Sequence, residues 1–467
     1  MSTDPRAAVT AAAEAPRRDG FWRLAVVLCS VLAVIAVGLG AAGWARNPDL
    51  AGVTFAPDRA VAAAGQRLVL ASKLPLAEVD PAQVSVTPAV PFTQTQRESS
   101  LSLRFAVPLA YDTAYEVRVT GARSRHTGTT ADWVHTFRTP PATRYTLIAH
   151  RGDQAPADTV VTEGNPEPRT MLTAPGIDSF VATRQHLVAV ARPEGQTAQL
   201  VAVTRPEGAP ATVGAPRVPL ITELVAAPDG GSFGYLVSGP DADSGREYES
   251  ILFIQDATAL DRPAVEVTAG GQPMSVQEWL FVPGVNAVVV STAQEQGFLI
   301  YLDGATAPVP LGRLSQLVGF LPGSATLHGV ASGRQVMIDL AGGRTADVVE
   351  TADPDKNTFA GRRSFRATDD YLVEYNRFSD AGLTTRLDHV TAAGSTTLLT
   401  VGPGKGQLLN SGLSPNGQFA WAVVLAEGAP ISDLSSGASN RAVVRVFDLA
   451  TGREVATLPG STPVWAT

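Results

Sequence analysis

A turn signal that returns at near-regular intervals through the C-terminal two thirds of the chain constrains the fold most. It appears near Arg184, at Pro228-Asp229-Gly230, Pro283-Gly284, Pro322-Gly323, Asp369-Asp370 and Pro415-Asn416-Gly417, at spacings of about 45, 55, 39, 47 and 46 residues. Short runs of β-type residues lie between the turns, and beyond Arg144 no helical periodicity lasts longer than about two turns. A period of roughly 40 to 50 residues holds four strands, and a lone four-stranded sheet has no partner for either face. Stacking such sheets around an axis buries both faces, so a β-propeller over residues 144–467 is the expected architecture.

Blade six is the clearest. Gln407 to Leu413 reads as its inner strand, Phe419 to Leu425 as the second, Ala442 to Asp448 as the third and Glu454 to Leu458 as the outer one. Ser414-Pro415-Asn416-Gly417 and Asp448-Leu449-Ala450-Thr451-Gly452-Arg453 supply its hairpins, and both resemble the turns of WD40-like and TolB-like propellers. No Trp-Asp dipeptide accompanies them. Thr462-Pro463-Val464-Trp465 looks like an inner strand with no successor, while Arg144 to Ala149 and Arg169 to Thr173 look like a third and an outer strand with no predecessors. Joined, they form a composite seventh blade that leaves no open sheet edge and clips the two ends together. Six blades is the alternative count.

Between Gly52 and Thr139 the pattern is different: runs of period two, such as Leu101-x-Leu103-x-Phe105 and Tyr115-x-Val117-x-Val119, are split by Pro and Gly. Six or seven half-buried strands in this length suit a β-sandwich. The segment resembles the bacterial Ig-like domains of surface-layer and other envelope proteins. Asp80-Pro81-Ala82-Gln83-Val84, the stretch Leu109 to Tyr115 leading into Tyr-x-Val-x-Val, and Phe137-Arg138-Thr139 carry that resemblance. It implies a spacer or adhesive module over residues 52–139. Trp133, His135 and Phe137 alternate on one strand face, as a binding stripe or, more simply, as core. Residues 140–143 read as a stiff linker.

Leu24 to Trp44 is a run of 21 residues without a charge, whose helix would rise roughly 31 Å against a hydrocarbon core of about 30 Å. Phe21, Trp22 and Trp44 flank it, and Arg6, Arg17, Arg18 and Arg23 stand on the N-terminal side. The positive-inside rule then makes residues 1–22 a short cytoplasmic tail, 23–45 a single-pass signal anchor and the remainder extracytoplasmic. A cleaved signal peptide is the rival, with Gly43-Trp44-Ala45 as its site, but the apolar run exceeds the usual length. Cys29, the only cysteine, follows Leu28 where lipidation needs a small residue, and its solitude excludes a disulfide scaffold. Arg17-Arg18 fits a flank of the helix better than an export signal. Net charge is −8, and the outward part carries −10 once residues 1–46 are set aside, a surface that repels nucleic acid.

Chemistry-bearing motifs are sparse. Gly230-Gly231-Ser232-Phe233-Gly234 fits the nucleophile-elbow pattern but precedes a strand and coincides with a blade hairpin. Gly402-Pro403-Gly404-Lys405-Gly406 lacks the Ser or Thr and the helix of a phosphate loop, Arg151-Gly152-Asp153 is a bare tripeptide, and the six histidines are scattered. Two acidic loops, Asp241-x-Asp243-x-Gly245-x-Glu247-x-Glu249 and Asp353-x-Asp355-x-Asn357, place oxygen ligands at alternate positions as calcium loops do, without a full EF-hand set. Calcium is thus a candidate ligand for Asp241, Asp243, Glu247, Asp353 and Asp355, with solvated loops as the plain alternative. No other cofactor is indicated.

In the blade scheme both loops emerge on one face, where Glu295, Asp380, Glu427 and Asp433 also fall. That predicts an acidic, loop-rich surface on which a partner docks through Asp241, Asp243, Asp353, Asp355, Glu427 and Asp433. The expected function is a membrane-anchored binding or scaffolding protein of the bacterial envelope, not an enzyme, whose propeller engages a protein or a glycan. A hydrolase or lyase working in the propeller funnel is the alternative.

Overall fold

The computed structural model of the protein describes residues 27–33, 47–150, 157–163, 167–193, 196–205, 208–348, 358–429 and 439–466. Residues 27–33 are helical, and no described helix is long and apolar enough to cross a membrane. The expected tail and most of the expected span fall outside the described residues.

Residues 50–138 form a two-sheet sandwich. Its strands are β1 (Leu50–Thr54), β2 (Arg67–Ser72), β3 (Val84–Thr87), β4 (Phe92–Arg97), β5 (Ser100–Phe105), β6 (Ala114–Arg123) and β7 (Thr130–Arg138). One sheet has the order β1-β2-β5-β4 and the other β3-β6-β7. The period-two pattern does what it should: Leu101, Leu103 and Phe105 of β5 and Tyr115, Val117 and Val119 of β6 point into the core. Trp133 is buried too, its indole N–H donating to the Pro48 carbonyl at 2.7 Å. The Phe137 ring meets Phe55 at 4.6 Å and Tyr115 at 5.3 Å. The aromatic alternation of β7 is therefore core packing.

Beyond the sandwich lie seven four-stranded antiparallel sheets, each separately hydrogen-bonded. Six are contiguous in sequence, spanning 177–212, 220–266, 278–313, 316–347, 358–401 and 407–459, and are numbered blades 1 to 6. Every turn signal noted in the sequence is the hairpin between the first and second strands of one of these blades. Blade 6 has the expected strands, with the fourth running Arg453–Pro459.

The seventh sheet unites the two ends. Ser461–Trp465 pairs antiparallel with Arg144–Ile148, which continues to Asp158–Thr162 and Arg169–Ala174. The composite blade is thus present, with one correction: Arg144–Ile148 is its second strand, and the third is Asp158–Thr162. That strand offers only Val160 and Val161 as apolar residues, too few for a periodic signal. Gly460 makes the step from blade 6 into this sheet. Its φ is +91°, and a Cβ there would lie 2.4 Å from the Leu147 carbonyl oxygen, so only glycine fits.

The blades hold together by apolar clusters at every interface around the ring. Blade 7 meets blade 1 through Leu147, Val160 and Phe180; blades 1 and 2 meet through Val190 and Phe233; Leu236 and Trp279 join blades 2 and 3. Val289 and Leu327 join blades 3 and 4, Met337 and Phe365 blades 4 and 5, Leu387 and Ala422 blades 5 and 6. Val446 and Trp465 complete the circuit. Burying each large side chain contributes about 1.5–3 kcal/mol, so the ring is stabilised at every seam.

Candidate docking surface

Because four antiparallel strands alternate in direction, each blade sends its first-to-second hairpin to one face of the disc. Its second-to-third loop and the connection to the next blade go to the other. The sandwich occupies the hairpin face. The Tyr111 amide donates to Gln418 Oε1 at 2.6 Å, and Asn416 Nδ2 donates to the Leu109 carbonyl at 3.0 Å. The Tyr111 ring stacks on Phe419 with centroids 6.1 Å apart. A Cβ on Gly323, in the blade 4 hairpin, would come within 2.4 Å of Pro108 and 2.7 Å of Ala64. Sandwich and propeller are in close contact, and the opposite, loop-rich face stays open.

Two of the acids expected to make that open face negative, Asp243 and Glu295, are answered by arginines. Asp241 is nearly buried and serves its own loop: Oδ1 accepts from the Arg217 and Asp243 amides at 3.1 and 3.3 Å, and Oδ2 from the Ser244 hydroxyl at 2.6 Å. The Ser244 bond, ahead of the backbone donors, holds its carboxyl below the usual range. Asp243 pairs with Arg217 at 3.4 Å and Glu295 with Arg313 at 2.9 Å, while Arg246 grips Glu266 through two bonds of 2.9 Å. Glu247 is exposed at the start of the third strand of blade 2. Among the described residues no three His, Cys, Asp or Glu side chains converge as metal ligands would. Asp353, Asp355 and Asp433 lie outside the described residues.

Asp380 and Glu427, like Glu247, are exposed on this face and enter no ion pair among the described residues. Beside them is a feature that the sequence reading missed. Phe359 and Phe378 are 58% and 64% exposed, with ring centroids 6.4 Å apart, and Leu383 is 39% exposed. Phe359 opens the inner strand of blade 5, Phe378 ends its second and Leu383 begins its third, so all three reach the open face. Leu383 also lines a groove of about 240 Å³ between blades 5 and 6, whose far wall includes Pro403, Glu427 and Ala429. Large exposed aromatics beside a groove are what protein interfaces are anchored on. In the sequence, Phe359 and Phe378 look like ordinary strand residues; only the register that places them at strand ends separates them from core.

Polar side chains on the first and second strands link neighbouring blades. Glu278 Oε2 accepts from the Leu317 amide at 2.6 Å, linking blade 3 to blade 4, and Ser411 donates to Glu374 Oε1 at 2.6 Å, linking blade 6 to blade 5. Glu223, at φ +48°, has its carboxyl raised by desolvation and by the charge of Glu278. Buried His328 sits 3.2 Å from Gln335 Oε1, and desolvation lowers its pKa. Ser232 opens the second strand of blade 2 and is no nucleophile elbow, and Gly402 to Lys405 form a turn. Arg151-Gly152-Asp153 lies outside the described residues.

No protein-family model and no curated protein matches the sequence. Among solved structures, the chain is similar to a crystal structure of a protein from Lactobacillus plantarum, at 12% identity and TM-score 0.44, covering 70% of this chain and 100% of that one. It is similar to TolB from Acinetobacter baumannii at 13% identity and TM-score 0.36, covering 82% and 83%. The β-propeller domain of Cps50 (Swd1) from Myceliophteria thermophila aligns at 11% identity and TM-score 0.38, over 62% and 89%.

Proposed function

We propose that the chain is a membrane-anchored binding scaffold of the bacterial envelope, in which an Ig-like sandwich holds a seven-bladed propeller that docks a protein partner on its open face. The observation that carries this reading is the exposed Phe359, Phe378 and Leu383 cluster, placed on the face that the sandwich leaves uncovered. The Ig-like assignment is supported by the strand order β1-β2-β5-β4 over β3-β6-β7, which is that of a constant-type sandwich. It is supported too by Tyr115, whose hydroxyl at the start of β6 accepts from the Ala110 amide at 3.1 Å as a tyrosine corner does. The uncharged run from Leu24 to Trp44, with its arginine-rich N-terminal flank, supports an anchor with residues beyond 46 outside the cytoplasm.

The aromatic cluster favours a protein segment that inserts apolar side chains, and free Asp380 and Glu427 favour one with a Lys or Arg beside them. Cross-linked affinity capture from native membranes tests this by comparison: Phe359→Ala/Phe378→Ala and Asp380→Lys/Glu427→Lys forms should each lose the partner held by the wild type. Undiminished recovery by both variants would remove the assignment. The alternative, a funnel hydrolase or lyase, draws on the raised carboxyl of Glu223 beside Glu278. It requires an activity that Glu223→Gln abolishes.

A further inference from the structure

The prolines that mark the repeat in the sequence come together in space. Pro228, Pro283, Pro322 and Pro415, from the hairpins of blades 2, 3, 4 and 6, line one cavity of about 620 Å³ between the propeller and the sandwich. Ala63 and Phe105 line it from the sandwich side. Its walls are otherwise apolar, with Phe281 and Phe320 among them, apart from the Thr93 side chain and one ionisable side chain, Arg104 of β5. No carboxylate lies within ion-pairing distance of Arg104 among the described residues, although exposed arginines elsewhere in the chain are commonly paired. Directly across the β2 and β5 pairing stands Arg67, which adds to the positive potential there.

The volume falls within the range of about 300–1,000 Å³ usual for small-molecule sites, and apolar walls with a single fixed charge are how such sites orient a ligand. Inter-domain clefts are a preferred location for them. We infer that this cavity binds a small amphiphile with an apolar body and an anionic head, the body resting on the four prolines and the head on Arg104. An unanswered guanidinium beside apolar walls discriminates by charge, because a carboxylate, sulfonate or phosphate gains a charge-assisted hydrogen bond there and a neutral isostere does not. The site lies on the face opposite Phe359 and Phe378, so it stands or falls independently of partner docking.

The test uses the full chain in lipid nanodiscs, with empty nanodiscs measured alongside to subtract partitioning of the probes into lipid. Naphthalene-2-sulfonate should bind saturably, as read by fluorescence or saturation-transfer NMR, and at least tenfold more tightly than neutral naphthalene-2-sulfonamide. Arg104→Gln should erase that preference while leaving residual binding of both probes, and Ala106→Trp, which fills the cavity from its sandwich wall, should abolish both. Absence of saturable binding to the wild type, equal affinity for the two probes, or full binding by Ala106→Trp would each overturn the proposal. Partner capture by Arg104→Gln should remain that of the wild type.

Discussion

Replacing Trp465 by alanine tests whether the last strand latches the ring. The side chain is 5% exposed and packs with Val444, Val446 and Leu458 of blade 6, while its own strand is bonded to Arg144–Ile148. Emptying a site of this size costs about 3–5 kcal/mol, a large part of the 5–15 kcal/mol that holds a typical domain together. Among the described residues the indole N–H has no hydrogen-bond partner, so no lost bond adds to the cavity cost. At roughly 2 °C per kcal/mol for a large domain, scanning calorimetry should show Trp465→Ala melting some 6–10 °C below wild type. Val134→Ala, a change on the exposed face of β7, should stay within about 1 °C. If Trp465→Ala also melted within a degree of wild type, the final strand would be a loose tail and the reasoning from ring closure would fail.

Gly460→Ala should destabilise the chain by more than about 1 kcal/mol, measured by guanidinium denaturation, because its positive φ and the nearby Leu147 oxygen exclude a side chain. Asp370 gives a pH signature. Burial works against its ionised form, but the hydrogen bond from His389 at 2.8 Å and the charge of Arg366 prevail and hold its carboxyl below the usual range. A depressed carboxyl stabilises the fold above its unfolded value and stops doing so as pH falls through the folded one. The stability gap between wild type and Asp370→Asn, present at neutral pH, should therefore shrink below about pH 4. Once a partner is in hand, Phe359→Ala/Phe378→Ala should weaken its binding more than tenfold by surface plasmon resonance, as loss of aromatic anchors does.

The ring was legible in the sequence because each blade needs a tight first hairpin, and Pro-Asp-Gly, Pro-Gly and Pro-Asn-Gly write that turn directly. Blade 6 was legible to within a residue because its strands alternate cleanly and its Asp448 turn has a strong local signature, the Asp448 carboxylate accepting from Thr451 at 2.8 and 2.9 Å. Asp158–Thr162 escaped because its burial comes from neighbouring sheets, which a window on the chain does not see. The partial neutralisation of the expected acidic face escaped for a related reason. Arg217 and Arg313 lie 26 and 18 residues from Asp243 and Glu295, the acids they pair with, and cross-strand register alone brings them together. The sandwich's seat on the hairpin face left no periodic trace at all: Asn416 and Gln418 read as turn residues, and their bonds to Leu109 and Tyr111 span 307 residues of sequence.

That seat decides which face is free, and oxidative footprinting of the intact chain measures it most directly. Phe359 and Phe378 should be modified rapidly, while Tyr111 and Phe419, stacked between sandwich and propeller, should react more slowly by at least tenfold. Equal labelling of Tyr111 and Phe378 would mean that the sandwich stands clear of the propeller, leaving both faces open and the assignment of the docking face without its basis.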